Sequence, residues 1–163
     1  MLKRTAVQLT LFLVLAITAH SANLTGRVLW VYDGDTLKVE NVGKVRLIGI
    51  DTPESKASSR DRFYLEKYPI TAKKLREIAW QAKNYNIHKV KDRRVTLELD
   101  QVHRDKYDRL LAYVYLPDGK MLNRVLLQKG LATVFRRYDF TYKKNFLKVE
   151  KQARKKRLGL WNN

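Results

Sequence analysis

The sequence predicts an α+β protein dominated by a small five-stranded OB-type β-barrel with about three α-helices. Its candidate elements follow a simple order. Three short strand-like runs come first, a helical segment separates them from two further strand-like runs, and two helical segments close the chain. Strands and helices in this order, within a chain of this length, suit one Greek-key barrel with its own hydrophobic core.

The strand-like runs are rich in Val, Leu and aromatic residues, and several alternate between apolar and charged positions. In the segment 36–40, Leu37 and Val39 alternate with charged residues, which is typical of a strand with one buried face. Residues 41–44 predict a hairpin connection between the second and third runs. The predicted strands cover residues 24–32, 36–40, 45–50, 94–99 and 110–116.

The helical segments carry apolar residues at helical spacing. The first follows Thr71, a candidate N-cap. Its apolar face comprises Leu75, Ile78, Ala79 and Ala82. The second covers residues 122–129 and ends before Gly130, and the third covers residues 141–157. Residues 55–70 are polar and basic, and we expect them to form a loop.

Residues 1–21 have the three parts of a secretory signal. A positive start contains Lys3 and Arg4, residues 6–19 are mostly apolar and uncharged, and small residues flank His20 where a signal peptidase would cleave. A membrane anchor is the alternative, but this run is shorter than the roughly 20 residues that a spanning helix needs. We therefore expect an exported protein, periplasmic or secreted, with one domain over residues 22–163 and no stable membrane association after cleavage.

The chain is strongly basic. Its net charge of +18 falls only to +16 without residues 1–21, which contain Lys3 and Arg4 and no acidic residue. Such a charge attracts polyanions through long-range steering and counterion release. Nucleic acid is the first candidate, because OB-type barrels commonly bind oligonucleotides on one face. Acidic polysaccharide and anionic membrane surfaces are the alternatives. We expect DNA and RNA as partners and a monomeric protein.

Two acidic motifs stand out in this basic chain. Asp33 and Asp35 follow the first predicted strand, and Asp51 follows the third. A hairpin that turns at residues 42 and 43 would place Asp35 opposite Asp51, and facing carboxylates either share a proton or share a cation. At neutral pH a hard divalent cation such as calcium explains the pair better. The alternative is two ordinary turns, since Asp and Gly are turn residues.

Other charged residues extend this candidate site. Arg46 lies on the same hairpin, Glu54 follows three residues after Asp51, and Arg109 begins the fifth predicted strand. A cation and two guanidiniums would neutralise charge that develops on phosphoryl oxygens, while a carboxylate orients or deprotonates water. Phosphodiester hydrolysis needs this combination of groups.

Three ordered segments closely resemble the staphylococcal nuclease-like (thermonuclease) family: YDGDTLKV, VRLIGIDTPES and DKYDRLLAYVYLPDGKMLNRVLLQKGLATV. The similarity runs, with gaps, from about residue 24 to residue 161. A lone D-G-D-T motif is a weak signal, but its pairing with R-L-x-x-x-D-T-P-E and the later K-Y-x-R is specific. The resemblance implies an OB-fold, calcium-dependent and largely sequence-nonspecific nuclease that cleaves DNA and RNA and leaves 3′-phosphate ends.

The resemblance also implies the metal ligands. These would be the carboxylates of Asp35 and Asp51 and the backbone carbonyl of Thr52. Asp33 corresponds to a second acidic position near the metal.

For catalysis, the resemblance implies that Glu54 activates or positions the attacking water, while Arg46 and Arg109 hold the scissile phosphate. Lys106 and Tyr107 correspond to positions that contact a terminal phosphate of the substrate. The family often has two tyrosines after G-L-A-x-V, and here only one position corresponds, at Tyr138.

The chain departs from the family at Asp108, where glycine is usual and where a carboxylate could compete with phosphate for Arg109. The loop 55–70 also differs from the usual pattern. A catalytically weak or inactive OB-fold nucleic-acid-binding module is therefore the rival hypothesis. That rival predicts gaps among the acids and arginines, yet the five residues expected of an enzyme are all present: Asp35, Arg46, Asp51, Glu54 and Arg109.

Overall fold

The computed structural model describes residues 24–162. Its strands are β1 Leu24–Val31, β2 Thr36–Val39, β3 Gly43–Leu47, β4 Ile50–Asp51, β5 Arg94–Arg104, β6 Leu110–Tyr115 and β7 Thr133–Val134. Five of them form a closed barrel in the order β1-β2-β3-β6-β5, in which β3 and β6 are parallel and the other pairs are antiparallel. The predicted five-stranded OB-type barrel is confirmed.

The apolar positions that predicted the strands fill the barrel. Alternate residues of each strand point inward, so the residues between them remain on the outer surface. The inward positions are fully or nearly fully buried and include Val28, Val31, Leu37, Val39, Val45, Leu47, Val95, Leu97, Leu110 and Ala112.

The helices pack against the outside of this barrel. They are α1 Arg60–Lys67, α2 Ala72–Val90, α3 Leu122–Gln128 and α4 Lys143–Lys155, and a 3-10 turn follows at Gly159–Trp161. The predicted N-cap is confirmed, because the Thr71 side chain accepts a hydrogen bond of 3.2 Å from the backbone N–H of Lys74. The predicted apolar face of α2 is buried as expected.

The prediction of a loop over residues 55–70 is wrong, because this segment contains α1, which adds a fourth α-helix to the three predicted helical segments. Tertiary contacts hold this short helix. Tyr64 is fully buried, and Arg76 of α2 forms an ion pair with Asp61 and donates a hydrogen bond to the carbonyl of Lys56. A single apolar turn within a polar segment gives little periodic signal.

The predicted strand 45–50 is two strands. β3 ends at Leu47, and a turn at Ile48 and Gly49 leads into β4, which pairs with β7 in a separate two-stranded sheet. Gly49 has φ +79°, and a Cβ at this position would lie 2.6 Å from the Phe140 ring, so both conformation and space require glycine here. This turn carries the chain from the barrel to the candidate site.

The predicted secretory signal, residues 1–21, lies outside the described residues. Within residues 24–162, no helix combines the length and apolar character needed to cross a membrane.

Candidate active site

The acidic motif between β1 and β2 is a tight turn held against α2. The side chain of Asp33 accepts a hydrogen bond of 2.9 Å from the backbone N–H of Asp35. Buried Asn86 of α2 donates to the carbonyl of Gly34 at 2.8 Å. A Cβ on Gly34 would lie 2.8 Å from Cβ of Ala82, so glycine lets the turn approach the helix closely. The turn is therefore fixed from both sides, and Asp35 is nearly buried.

The strand register that predicted the meeting of Asp35 and Asp51 is wrong. Thr36 pairs with Arg46, and the backbone N–H of Leu47, not residue 51, donates to the carbonyl of Asp35 at 2.8 Å. The hairpin is therefore four residues out of the predicted register. The two carboxylates still come close, because the turn at Gly49 brings β4 beside Asp35 by a different route.

Arg46 joins the two carboxylates. Its Nη1 forms an ion pair with Oδ1 of Asp35, and its Nη2 lies 3.1 Å from Oδ1 of Asp51. Nη2 also donates to the carbonyl of Ile50 at 3.2 Å, which aligns the guanidinium with β4. A single planar guanidinium thus spans both acids, a geometry that a lysine ammonium cannot reproduce.

Thr52 ties the D-T-P-E motif directly to Asp35. Its backbone N–H and its hydroxyl donate to Oδ2 of Asp35 at 2.9 and 3.0 Å. Thr36 adds a hydroxyl donor to Oδ1 at 3.2 Å. The structure therefore brings together Asp35, Asp51, Thr52 and Arg46 of the predicted set.

Arg60 and Tyr64, both on α1, are site residues that the sequence analysis missed. Arg60 forms an ion pair with Oδ2 of Asp51, and the Tyr64 hydroxyl donates to the same oxygen at 2.8 Å. Sequence alone does not separate Arg60 from Arg62, whose side chain is 83% exposed and pairs only loosely with Glu66. The local sequence pattern does not reveal α1, the helix that places Arg60 beside Asp51.

Glu54 follows this cluster and is exposed to solvent. Partial burial, together with the negative charges of Asp33 and Asp51, raises the pKa of Glu54 above its usual value. Burial likewise raises the pKa of Asp33. The four carboxylates of Asp33, Asp35, Asp51 and Glu54 also outnumber the guanidiniums of Arg46 and Arg60 in this cluster.

Arg109, the residue before β6, reaches the same end of the barrel. Its Nη1 lies 3.4 Å from the Thr36 hydroxyl, next to Asp35. Its Nε and Nη2 are held by Oδ2 of Asp105 at 2.8 and 2.7 Å. Although burial opposes it, hydrogen bonding from Arg109 lowers the pKa of Asp105. Asp105 is thus a positioning partner that sequence reasoning did not identify.

Lys106 and Tyr107 lie in the turn between Asp105 and Arg109. The Tyr107 ring is 68% exposed. Nζ of Lys106 lies 4.9 Å from the ring centroid, and the Arg109 guanidinium carbon lies 5.5 Å from it. These two predicted substrate residues therefore border Arg109 and face solvent.

Asp108 turns away from Arg109. Its backbone adopts φ +60°, and its carboxylate, 87% exposed, lies 3.3 Å from Nη1 of Arg104. Aspartate tolerates this left-handed conformation better than most residues. It therefore occupies the position where the family usually has glycine, and its carboxylate does not face the proposed phosphate-holding group.

Among the described residues, no hydrogen bond or aromatic pair joins Tyr138 to the cluster. It is exposed and packs at 5.7 Å against Phe135, and its carbonyl accepts a hydrogen bond from Lys143. Phe135 in turn donates its backbone N–H to the carbonyl of Gly49, so this segment borders β4.

The oxygen atoms that converge here suit a hard cation, although two rather than three acidic side chains supply them. Within residues 24–162, no three or more His, Cys, Asp or Glu side chains are arranged to hold a metal ion. The groups that do converge are two carboxylates, those of Asp35 and Asp51, beside the peptide of Thr52. Carboxylate and carbonyl oxygens are the ligands that calcium prefers, and the local excess of acid favours added positive charge.

Comparison with known proteins supplies the family. The model of the family described as "Staphylococcal nuclease homologue" matches residues 44–163. The chain belongs to the staphylococcal nuclease family. A thermonuclease of Staphylococcus hyicus is 33% identical to it over 144 residues, which cover 85% of this chain and 76% of the relative.

Two further relatives of this chain come from other organisms. An uncharacterised protein of Methanocaldococcus jannaschii is 38% identical over 148 residues, or 84% of this chain and 71% of the relative. The SPbeta prophage-derived endonuclease YokF of Bacillus subtilis is 38% identical over 136 residues, or 80% of this chain but only 41% of the relative.

Proposed function

We propose that this protein is a calcium-dependent, largely sequence-nonspecific nuclease that hydrolyses phosphodiester bonds of DNA and RNA and leaves 3′-phosphate ends. One observation carries the proposal. The guanidinium of Arg46 spans the buried carboxylates of Asp35 and Asp51, while Arg109 reaches Thr36 beside them. Cation ligands and two phosphate-binding groups therefore share one end of the barrel.

The relatives support the same chemistry. Several relatives are named as a thermonuclease or an endonuclease. The choice of DNA and RNA and the 3′-phosphate product follow from the family resemblance. The net charge of +18 supports a polyanionic substrate.

Calcium would be held by the carboxylates of Asp35 and Asp51 and the carbonyl of Thr52. Bound there, it would neutralise charge on the phosphoryl group and polarise the bond to be cleaved. Tyr64 orients Asp51 by donating to both its carbonyl, at 3.2 Å, and its side chain. Asp33 keeps the turn closed through its hydrogen bond to the Asp35 N–H.

The remaining predicted residues act on water and phosphate. Glu54 accepts a proton from the attacking water or holds that water in place. Arg46 and Arg109 donate charge-assisted hydrogen bonds to the scissile phosphate, and these contacts strengthen as charge develops on its oxygens. Lys106 and Tyr107 bind a terminal phosphate of the substrate, and Tyr138 is a further substrate contact.

The rival hypothesis of an inactive nucleic-acid-binding module is less favoured. Such a module needs basic and aromatic surface but no buried pair of carboxylates joined by a guanidinium. Burying Asp35 and Asp51 costs free energy unless their charge is used or compensated.

We also propose that the protein is exported and acts as a monomer in the periplasm or outside the cell. The pattern of residues 1–21 supports export. N-terminal sequencing of protein recovered outside the cytoplasm tests this, and a chain that still starts at Met1 would contradict it.

Incubation of supercoiled plasmid and a single-stranded RNA with calcium, and separately with a chelator, tests the proposed activity. We expect both substrates to be cleaved with calcium and to stay intact with the chelator. A polymerase should extend the DNA fragments only after phosphatase treatment, because their 3′ ends carry phosphate. Cleavage that is equally fast in the chelator would overturn calcium dependence, and no cleavage in either condition would favour the binding module.

Asp105→Asn is expected to lower the turnover number roughly tenfold, because it weakens the charge-assisted contact that aims Arg109. The Asn carbonyl can still accept the hydrogen bonds that Asp105 Oδ1 receives from the N–H groups of Tyr107 and Arg109, so the melting temperature should change little. Asp108→Asn is the matched control and should leave turnover unchanged. Equal effects of the two variants in steady-state assays would show that Asp105 has no special role.

A further inference from the structure

Beside the proposed active site, the outer face of the barrel carries exposed aromatic rings and lysines. We propose that this face binds the single-stranded stretch of nucleic acid that continues beyond the scissile phosphate. The inference deepens the proposed function, on which it rests for the identity of the bound strand. We call this surface the strand-binding face, and its residues are Trp30, Tyr32, Lys38, Lys44 and Lys91.

Strand register places three of these side chains, those of Trp30, Lys38 and Lys44, in one row. Trp30 of β1 pairs with Lys38 of β2, and Lys38 pairs with Lys44 of β3. Directly paired residues point to the same side of a sheet. The neighbouring row of Val31, Leu37 and Val45 is buried inside the barrel, so the row of Trp30 lies outside.

This row leads to the proposed active site. Val45 pairs with Leu110, so Arg109, the preceding residue, lies at the level of Lys44. The next outward row contains Thr36 and Arg46, which pair with each other. Adjacent strands lie about 4.8 Å apart, and residues two apart along a strand lie about 7 Å apart. A chain bound at Arg46 and Arg109 would therefore reach Lys44 and Trp30 within about 15 Å.

The composition of the face suits an unpaired strand. Trp30 is 52% exposed and Tyr32 is 36% exposed. Nζ of Lys91 lies 5.6 Å from the Trp30 ring centroid, and Nζ of Lys44 lies 5.0 Å from that of Tyr32. Single-stranded nucleic acids bind where bases stack on aromatic rings while cations follow the backbone. Each ring here already has a cation beside it.

The lysines of this face are available for phosphate. In the described part of the chain, Lys38, Lys44 and Lys91 form no ion pair with a carboxylate. The nearby acid Glu40 lies 3.7 Å from Arg27, which offsets its charge. The face therefore presents net positive charge directly next to the proposed catalytic arginines.

A second exposed tryptophan provides a contrast. Trp80, on α2, is 66% exposed and lines an open cleft of about 720 Å³ that also includes His88, Lys129 and Leu158. None of the predicted site residues lines that cleft. Trp80 is thus more accessible than Trp30 but does not share the row that leads to Arg109, which makes it a matched control.

Fluorescence anisotropy with a labelled 15-nucleotide DNA strand, in a chelator so that no cleavage occurs, tests the proposal on the full protein. The double variant Trp30→Ala/Tyr32→Ala should bind at least tenfold more weakly, because two stacking platforms are lost. Trp30→Phe/Tyr32→Phe should recover most of the affinity, and Trp80→Ala should match the wild type. A labelled trinucleotide should lose less affinity than the longer strand.

Charge is tested separately by Lys38→Gln/Lys44→Gln against the control Lys155→Gln/Lys156→Gln, which removes the same net charge from the end of α4. The first pair should lower the slope of log affinity against log salt by about 0.7 for each lost phosphate contact, and the second should not. Equal effects of the two pairs, an unchanged affinity in the aromatic variant, or a change in self-association without a change in DNA binding would each overturn the proposal. Binding without cleavage by the wild-type protein would instead refute only the proposed catalysis.

Discussion

Asp35→Asn is expected to reduce nuclease turnover and calcium affinity by about 100-fold or more. The substitution removes one of two carboxylate ligands while preserving the shape of the side chain, and hard cations depend on ligand charge. The Asn carbonyl can still accept the Thr52 N–H, which is 2.9 Å from Oδ2 in the native protein. The fold should therefore persist, and the loss should appear in calorimetric calcium titration as well as in the assay.

Two control variants show whether the effect is specific to Asp35. Asp118→Asn removes a carboxylate from a surface turn, where Asp118 pairs with Lys120, and should change neither quantity. Asp33→Asn removes the second acid of the motif, which caps the Asp35 N–H and forms no ion pair among the described residues, and should give a smaller loss of calcium affinity. Wild-type calcium affinity in Asp35→Asn would show that the cation binds elsewhere.

The sequence predicts the barrel well because local pattern and tertiary packing agree there. Alternation in segments such as 36–40 is the same alternation that buries Leu37 and Val39 inside the barrel. The start of α2 is equally local, since Thr71 caps it with its own side chain. The site motifs are also short, and the order in which they occur gives the family.

The details of the site depend on contacts that local pattern does not encode. The predicted pairing of Asp35 with Asp51 assumed one continuous strand, whereas Gly49 turns the chain out of the barrel into β4. Arg60 became a site residue only because α1 packs through buried Tyr64. In both cases the decisive information is a contact outside the local pattern, since β4 pairs with β7 and α1 packs against Asp51 through Tyr64.

Arg46→Met is expected to destabilise the fold and to make that fold strongly dependent on calcium. Without the guanidinium, Asp35 and Asp51 are nearly buried carboxylates with less compensating charge, and breaking such a pair costs about 3–5 kcal/mol. The melting temperature without calcium should fall by roughly 10 °C. Turnover should also fall at least tenfold, because a charge-assisted contact to the scissile phosphate is lost.

Calcium should restore stability in this variant more than in the wild type. A cation between the two carboxylates supplies the charge that Arg46 supplied, and it no longer has to displace that guanidinium, so its affinity should rise. Binding to the folded state alone stabilises it in proportion to log concentration above the dissociation constant. The rise in melting temperature on adding calcium should therefore be several degrees larger in Arg46→Met than in the wild type, although activity is not recovered. Arg136→Met, which breaks an ion pair with buried Glu150 away from the site, should lose stability without any added response to calcium. An equal calcium response in all three proteins would mean that Arg46 and the cation do not share the carboxylates of Asp35 and Asp51.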